Sequence, residues 1–272
     1  IVKRRINWEI LSEFGYRSQL GSTVEKAGTL LAEIDPIAVK ELIPNLLIKL
    51  QNEIECLRNL EANELSKFII GILFHLRQKG SLDINELTGS EERPSDYLLT
   101  GGENTFTFNN IRHTPNFGTK SIKPIFLTNF RKKGIFEQLI NEIGPKSWYQ
   151  LWLNRTLLFK QETNNDLERE ILQISLEELV NSKILREIKL KSGVRVWTIS
   201  LTKIIVSKNP SLFKCGCCGS SVSVPSNQEK LFEKMSCFNN QCDGFFSKDT
   251  KNGLLLFNNL YQYGKVNRIV AK

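Results

Sequence analysis

Four cysteines in the last quarter of the sequence have the residue type and spacing of a metal site. Cys215 and Cys218 form a C-x-x-C pair, and Cys237 and Cys242 form a second pair after eighteen intervening residues. Two short-spaced pairs of this kind typically bind one tetrahedral zinc ion through four thiolates. Four thiolates fill the coordination shell and leave no position for water or substrate. The sequence therefore predicts a structural Zn²⁺ ion, and it predicts no catalytic role for that ion.

A fifth cysteine, Cys217, allows a second possible set of metal ligands. It forms a C-x-C pair with Cys215, and such pairs can also bind a metal ion. The C-x-x-C pair is followed by Gly219, which allows a turn tight enough for backbone N–H groups to reach the sulfur atoms. Gly244 has the same predicted role after the second pair. We therefore interpret Cys217 as a bystander.

The sequence lacks the motifs of the common catalytic sites. It contains no P-loop, no G-x-S-x-G elbow, no H-E-x-x-H pair and no dinucleotide fingerprint. Of its two histidines, His75 lies in an apolar helical stretch and is interpreted as a packed or partly exposed side chain. His113 lies beside Arg112, where it is either solvated or in contact with a phosphate. We predict no catalytic residue within this chain.

Hydrophobic periodicity and turn residues predict the elements that position the cysteines. Apolar residues at helical spacing, with capping residues and glycine stops, indicate helices over residues 1–19, 36–56, 62–78, 134–143, 147–158 and 165–180. Alternating apolar residues indicate a β-hairpin over 184–190 and 194–199. Residues 29–34 suit either a strand or a helix end. Residues 87–124 have little periodicity and are interpreted as a loop-rich connector.

A helix followed by a hairpin and a closing apolar run at 204–206 is the order found in the second half of a winged-helix domain. The predicted fold class is mainly α with small β. It comprises a helical region, a winged-helix-like domain with a β-hairpin wing, and a four-cysteine zinc-binding module. The chain is predicted to divide into five segments. They are a helical region at 1–86, the connector at 87–124, the winged-helix-like domain at 125–208, the zinc module at 209–250 and a linker at 251–272.

Positive charge is concentrated in the middle of the chain. The net charge is +8, and residues 120–214 carry seventeen basic and nine acidic residues, whereas the rest of the chain carries twenty of each. A local basic surplus favours a polyanionic partner, usually nucleic acid, although a solvated lysine-rich surface has the same signature. The residues predicted to contact nucleic acid lie before the wing and at its outward positions: Arg131, Lys132, Lys133, Arg186, Lys189, Lys191 and Arg195.

The composition, with 40% hydrophobic and 24% charged residues, is that of an ordinary globular protein. No run of eighteen apolar residues is present, so no membrane span and no membrane partner are expected. Cysteines in metal-type pairs indicate a reducing compartment, which predicts a cytoplasmic location. The missing initiator Met indicates a chain cut from a longer protein.

Three stretches of the sequence resemble one protein family. They are the opening from Arg4 to Gly28, the wing strand from Trp197 with the cysteine pattern that follows it, and the stretch from Leu260 to Ala271. Together they resemble a region of large superfamily 2 helicases of the DEAD/DEAH-box type, and most closely those of Druantia-type bacterial anti-phage defence systems. In that group the region lies between the two RecA-like motor lobes.

The resemblance implies an accessory, nucleic-acid-binding region of a large ATP-dependent DNA helicase. ATP and Mg²⁺ would bind only to the parent protein, outside this chain, which has no P-loop of its own. The implied partners are DNA, the motor lobes of the same polypeptide and subunits of the defence system. A protein-interaction module that recruits a partner subunit and a stand-alone winged-helix regulator are the alternatives.

Overall fold

A computed structural model describes residues 30–83, 107–108, 111–112, 125–129, 136–158, 164–189 and 193–249. The predicted helix at 1–19, the linker at 251–272 and most of the connector lie outside these ranges. The described residues form two compact units, one from Ile34 to Ile205 and one that combines residues 30–33 with residues 206–249. They contain five α-helices and eleven β-strands, so the fold is mixed α/β rather than mainly α.

The ambiguous segment at 29–34 is a strand, β1 (Leu30–Ile34), and it is followed by the first helix. Helix α1 (Pro36–Glu53) begins as predicted, because the Asp35 carboxylate accepts a hydrogen bond of 3.0 Å from the Ile37 N–H. Helix α2 (Ala62–Gln78) matches its predicted limits. It ends before Gly80, whose positive φ of 72° favours glycine.

The next two helices are also confirmed. In α3 (Trp148–Thr156) the Ser147 side chain and the Gln150 side chain form a capping box. Helix α4 (Asn165–Asn181) is capped by the Asn164 side chain, which accepts from the Leu167 N–H at 2.8 Å. None of the helices in the described ranges is long and apolar enough to cross a membrane.

Short strands complete the first unit. β2 (Thr107–Phe108) and β3 (Ile111–Arg112) pair with each other within the predicted connector. β4 (Phe126–Thr128), β5 (Phe136–Gln138), β6 (Leu185–Lys189) and β7 (Arg195–Ile199) form a four-stranded sheet in the order β5-β4-β7-β6. The predicted hairpin is confirmed as the antiparallel pair β6–β7, and β4 is antiparallel to β7 on the other side.

The helix predicted at 134–143 is wrong in the described part of that range. Phe136–Gln138 is a strand that pairs in parallel with β4. The residues after it are not helical, because side chains of α3 and its cap bind their backbone: Gln150 Oε1 accepts from the Asn141 N–H at 2.8 Å, and Ser147 Oγ donates to the Leu139 carbonyl at 2.6 Å. These bonds from side chains replace the backbone bonds that a helix would have supplied.

Two further expectations for the first unit need correction. The helix predicted over 36–56 ends earlier, at Glu53, and Cys56 after it is exposed. A 3₁₀ turn at Glu55–Leu57 follows, and its buried residue is Leu57. The closing run at 204–206 begins strand β8 (Ile204–Lys208), which pairs with β1 rather than with the hairpin.

A buried carboxylate joins α3 to α4. Glu168, in the first turn of α4, has a fully buried side chain. It accepts hydrogen bonds from Gln150 Nε2 at 2.8 Å and Asn154 Nδ2 at 2.7 Å, and it forms an ion pair with Lys146. A buried charge is tolerated only when it is paired and hydrogen-bonded, so this network fixes the angle between the two helices.

The tryptophans of α3 are core residues, and they pack against α2. Trp148 stacks on His75 with ring centroids 3.7 Å apart, which confirms that His75 is packed. The Trp152 indole N–H donates to the Phe68 carbonyl at 3.0 Å. This contact requires Gly71, because a Cβ at that position would lie 2.1 Å from the Trp152 ring.

We predict that Gly71→Ala destabilises the first unit by about 1–3 kcal/mol, because the added methyl group overpacks the helix contact. The sign of the change in unfolding free energy is informative, because Gly→Ala in an unhindered helix stabilises by about 1 kcal/mol. Urea unfolding measures the difference. In a Trp152→Leu background the penalty should shrink, and an equal penalty in both backgrounds would contradict this explanation.

Candidate metal centre and the predicted basic surface

The cysteines lie in the second unit, at the ends of short antiparallel strands. β9 (Ser211–Cys215) pairs with β10 (Ser221–Val224) on one side and with β11 (Phe246–Lys248) on the other. The β9–β10 connection carries the first cysteine pair. The second pair lies between the short helix α5 (Glu229–Phe232) and β11. Pairing of both β10 and β11 with β9 therefore brings the two cysteine pairs to one end of the sheet.

Aromatic rings form much of the small core beneath this sheet. Phe213, Phe232 and Phe246 are buried, and Phe238 bridges them with ring centroids 6.2 Å from Phe232 and 5.2 Å from Phe246. Met235 is also buried. The other buried apolar side chains that the structure describes in this unit are few, namely Leu31, Ala32, Val222 and Val224. Small domains with few such residues often depend on a metal ion or disulfides.

The four predicted ligand cysteines converge on one point. The sulfur atoms of Cys215, Cys218, Cys237 and Cys242 all lie within 4.8 Å of one another. Two of the separations, Cys215 to Cys242 and Cys218 to Cys237, are 3.6 Å. A tetrahedral ion with metal–sulfur bonds of about 2.3 Å places its sulfur ligands about 3.8 Å apart, whereas a disulfide requires about 2.0 Å. The geometry thus fits a metal ion such as zinc, and the cysteines are not paired as disulfides.

Backbone groups around the site orient the sulfurs. The Asn239 N–H donates to Cys237 Sγ, and the Gly244 N–H donates to Cys242 Sγ, both at 3.4 Å. The predicted role of Gly244 is therefore confirmed. Gly219 does provide the tight turn, with φ of 75°, but its N–H donates to the Cys215 carbonyl rather than to a sulfur atom.

The site sets the acidity of its thiols in opposite directions when no metal is bound. A hydrogen bond with the Ser220 hydroxyl, 3.2 Å from Cys218 Sγ, and a second from the Ser220 backbone lower the pKa of Cys218 to about 6. Burial raises the pKa of Cys237. The Gly244 N–H lowers the pKa of Cys242, but burial and neighbouring thiols outweigh it and raise that pKa to about 11. A bound cation would therefore favour the thiolate forms of Cys237 and Cys242 near neutral pH.

The converging sulfurs do not include Cys217, which is exposed. Sequence reasoning did not identify Ser220 or the Asn239 N–H as contributors to the site. The signal that could have identified Ser220 is its position two residues after Cys218, where its hydroxyl can bond to the sulfur. The Asn239 bond follows the same pattern, since a backbone N–H two residues after a cysteine commonly reaches the cysteine's sulfur.

The residues predicted to bind nucleic acid are partly described. Arg186 Nη1 lies 2.9 Å from Asp83, whose side chain is fully buried, so this arginine neutralises a buried carboxylate. Arg195 is more exposed and lies 3.9 Å from Glu187. Lys189 is exposed and stands opposite Arg195 in the hairpin. Arg131, Lys132, Lys133 and Lys191, together with His113, lie outside the described residues.

The exposed face of α4 is acidic, which the overall charge surplus did not predict. One stripe along the helix consists of Asp166, Glu170, Gln173, Glu177 and Asn181. Asp166 is paired with Arg169 at 2.8 Å, and Glu177 lies 3.9 Å from Lys49. A stripe with three carboxylates repels phosphates, so the helix before the hairpin is poorly suited to lie in a DNA groove.

Comparison with models of protein families, with curated proteins and with solved structures gave no match to this chain.

We predict that Gly244→Ala weakens metal binding by at least about tenfold. A Cβ at Gly244 would lie 2.6 Å from Cys215 Sγ and 3.3 Å from Cys242 Sγ, so the sulfurs must move apart. Gly216→Ala is the matched control, because its Cβ meets nothing within 4 Å. Zinc competition against a chromophoric chelator measures both variants. Equal affinities would show that the close approach at Gly244 is unimportant.

Proposed function

We propose that the four cysteines hold a structural Zn²⁺ ion and that the chain is a non-catalytic nucleic-acid-binding region built on a winged-helix-like unit. Zinc is favoured over other metals because it suits four thiolates in a closed tetrahedral shell and has no redox chemistry of its own. The ion would stabilise the second unit, whose core is small. The sequence resemblance extends the proposal to an accessory region of an ATP-dependent DNA helicase in anti-phage defence.

The observation that carries the proposal is the order of elements in the first unit. Helix α2, strand β4, helices α3 and α4, and hairpin β6–β7 occur in this order along the chain, with β2, β3 and β5 between them. Beside the edge strand β5, the other three strands of the sheet pair in the order β4-β7-β6. This order and pairing resemble those of a winged helix, and in the proposal β6–β7 is the wing. Together with the positive charge of residues 120–214, it supports contact with a phosphate backbone.

The charge distribution favours the wing over the helix as the contact. The stripe on α4 is acidic, whereas Lys189 and Arg195 stand side by side on the wing and Lys191 is at its turn. Phosphate contacts of this kind fix position without reading sequence. We therefore propose electrostatic contact through the wing, without insertion of α4 into the major groove.

A protein-interaction role is the second candidate, and the acidic stripe of α4 is the observation that favours it. In that case the stripe would contact a basic partner, and the wing would be dispensable for nucleic-acid binding. A stand-alone regulator has no additional support from the described residues.

Charge reversal on the wing tests the proposed function. Lys189→Glu with Lys191→Glu should weaken binding of the full chain to a labelled DNA duplex and reduce the slope of log affinity against log salt by about 2. Lys40→Glu with Lys67→Glu makes the same change in net charge on α1 and α2 and is the matched control. Fluorescence anisotropy across a salt series measures both.

Two outcomes would count against nucleic-acid binding through the wing. Equal affinity and salt slope in the wing variant and the control would exclude the wing as the contact and favour the protein-interaction candidate. Absence of binding by the unmodified chain at low salt would exclude the function itself.

A further inference from the structure

Phe245 is an aromatic side chain exposed beside the metal centre. Its side chain is 58% exposed, whereas the next residue, Phe246, is part of the buried core. The two residues point to opposite faces because they follow each other in an extended segment. Single exposed apolar residues are common on protein surfaces, so exposure alone assigns no role to Phe245. The fixed backbone at Phe245 and the residues around it are the observations that indicate a role.

The backbone at Phe245 is held from two directions. Phe245 pairs with Ser236 in an antiparallel bridge, and its carbonyl accepts a hydrogen bond of 3.3 Å from the Gly216 N–H. Gly216 lies between the ligands of the first cysteine pair, and Cys242 precedes Phe245 by three residues. The bridge and the hydrogen bond thus fix the backbone at Phe245, which lowers the entropic cost of placing a ligand against its side chain.

The surface around the ring is open. We define the Phe245 face as Phe245, Ser247, Lys214, Ser221 and Gly216, all of which are exposed. Ser247 stands opposite Lys214 in β9, and Lys214 stands opposite Ser221 in β10, so these three side chains share one face of the sheet. Among the described residues, those paired with Phe245 or next to it on this face are therefore Ser236, Gly216, Ser247 and Lys214, and only Lys214 has a long side chain.

The charge on this face suits an anion at one position. Lys214 lies at the centre of the row, on the middle strand of the sheet. Two carboxylates, Asp243 and Asp249, flank the strand in sequence, and each already has an interaction within the protein. Lys214 is therefore the residue of this face that we expect to contact a phosphate. An aromatic ring next to one cation and several hydroxyls is the chemistry that binds a nucleotide by its base and its phosphate.

We propose that the Phe245 face is a stacking platform for single-stranded nucleic acid, with Phe245 stacking on a base and Lys214 contacting the adjacent phosphate. Single strands are the expected ligand because the base faces of a duplex are already stacked on one another and unavailable. Stacking of this kind tolerates any base. The Phe245 face would be a second nucleic-acid site, in addition to the wing of the proposed function, and it does not depend on the wing.

Binding of a fluorescein-labelled oligothymidylate of about fifteen nucleotides to the zinc-loaded full chain tests the platform. Phe245→Ala should weaken binding about 5- to 150-fold, and Phe245→Trp should retain it. Ile143→Ala, at an apolar residue of the first unit that is 82% exposed, is the matched control and should change nothing. Lys214→Ala should reduce the salt slope by about 0.7, the value of one contact on a single strand, while Phe245→Ala leaves the slope unchanged.

Zinc content and circular dichroism of each variant establish that the fold is intact. Oligothymidylate binding by Phe245→Ala equal to that of the unmodified chain would overturn the platform, and the exposed ring would then be a candidate protein contact. Equal weakening of duplex and single-strand binding would also overturn it, because stacking on a base requires an open strand. In either case a salt-dependent loss of duplex binding in the wing variant would leave the proposed function standing. Oligouridylate in parallel distinguishes DNA from RNA as the source of the single strand.

Discussion

The second unit depends on four thiols held within 4.8 Å of one another. Without a cation this arrangement is unfavourable, because burial and the neighbouring thiols raise the pKa values of Cys237 and Cys242 and oppose the thiolate state. A divalent cation removes the conflict by balancing the charge and bonding to each sulfur. The strand pairings of β9, the tight turn at Gly219 and the close approach of Gly244 all serve this convergence, and the buried phenylalanines alone are a small core.

The first unit is stabilised differently, by apolar helix contacts and a few buried polar groups that are satisfied by long-range partners. Trp152 packs against Gly71, Glu168 joins α3 to α4, and Arg186 neutralises Asp83. The last of these contacts also bears on function. An arginine that compensates a buried carboxylate is less available to a phosphate, so charge counted along the sequence overstates the charge available for binding. The acidic stripe on α4 has the same consequence. Of the predicted contact residues that the structure describes, Lys189 and Arg195 on the β6–β7 hairpin are then the more available to a phosphate.

Local signals in the sequence were reliable where local interactions decide the structure. The limits of α2, the start of α1 at Asp35 and Pro36, the β6–β7 hairpin and the four-cysteine cluster were all predicted, because caps, turns and short-spaced ligands act over a few residues. The wrong predictions concern segments whose structure is decided by partners elsewhere in the chain. The segment at 136–138 pairs with β4, β8 pairs with β1, and Cys56 is exposed because the chain turns at Ile54. No local pattern specifies these partners, and a helical spacing of apolar residues also fits an extended segment whose backbone is bound by side chains from elsewhere. The Phe245 face could have been found only in part, since alternation places Phe245 and Ser247 on one side but does not identify Lys214 as their neighbour.

Hydrogen exchange with and without a zinc chelator tests the central claim, that a metal ion held by the four cysteines stabilises the second unit. The account predicts that chelation removes amide protection from β9, β10 and β11 while α2, α4 and the β6–β7 hairpin keep theirs, and that Cys215→Ser reproduces this pattern without chelator. Unchanged protection in β9 to β11 after the metal has been removed would contradict the account.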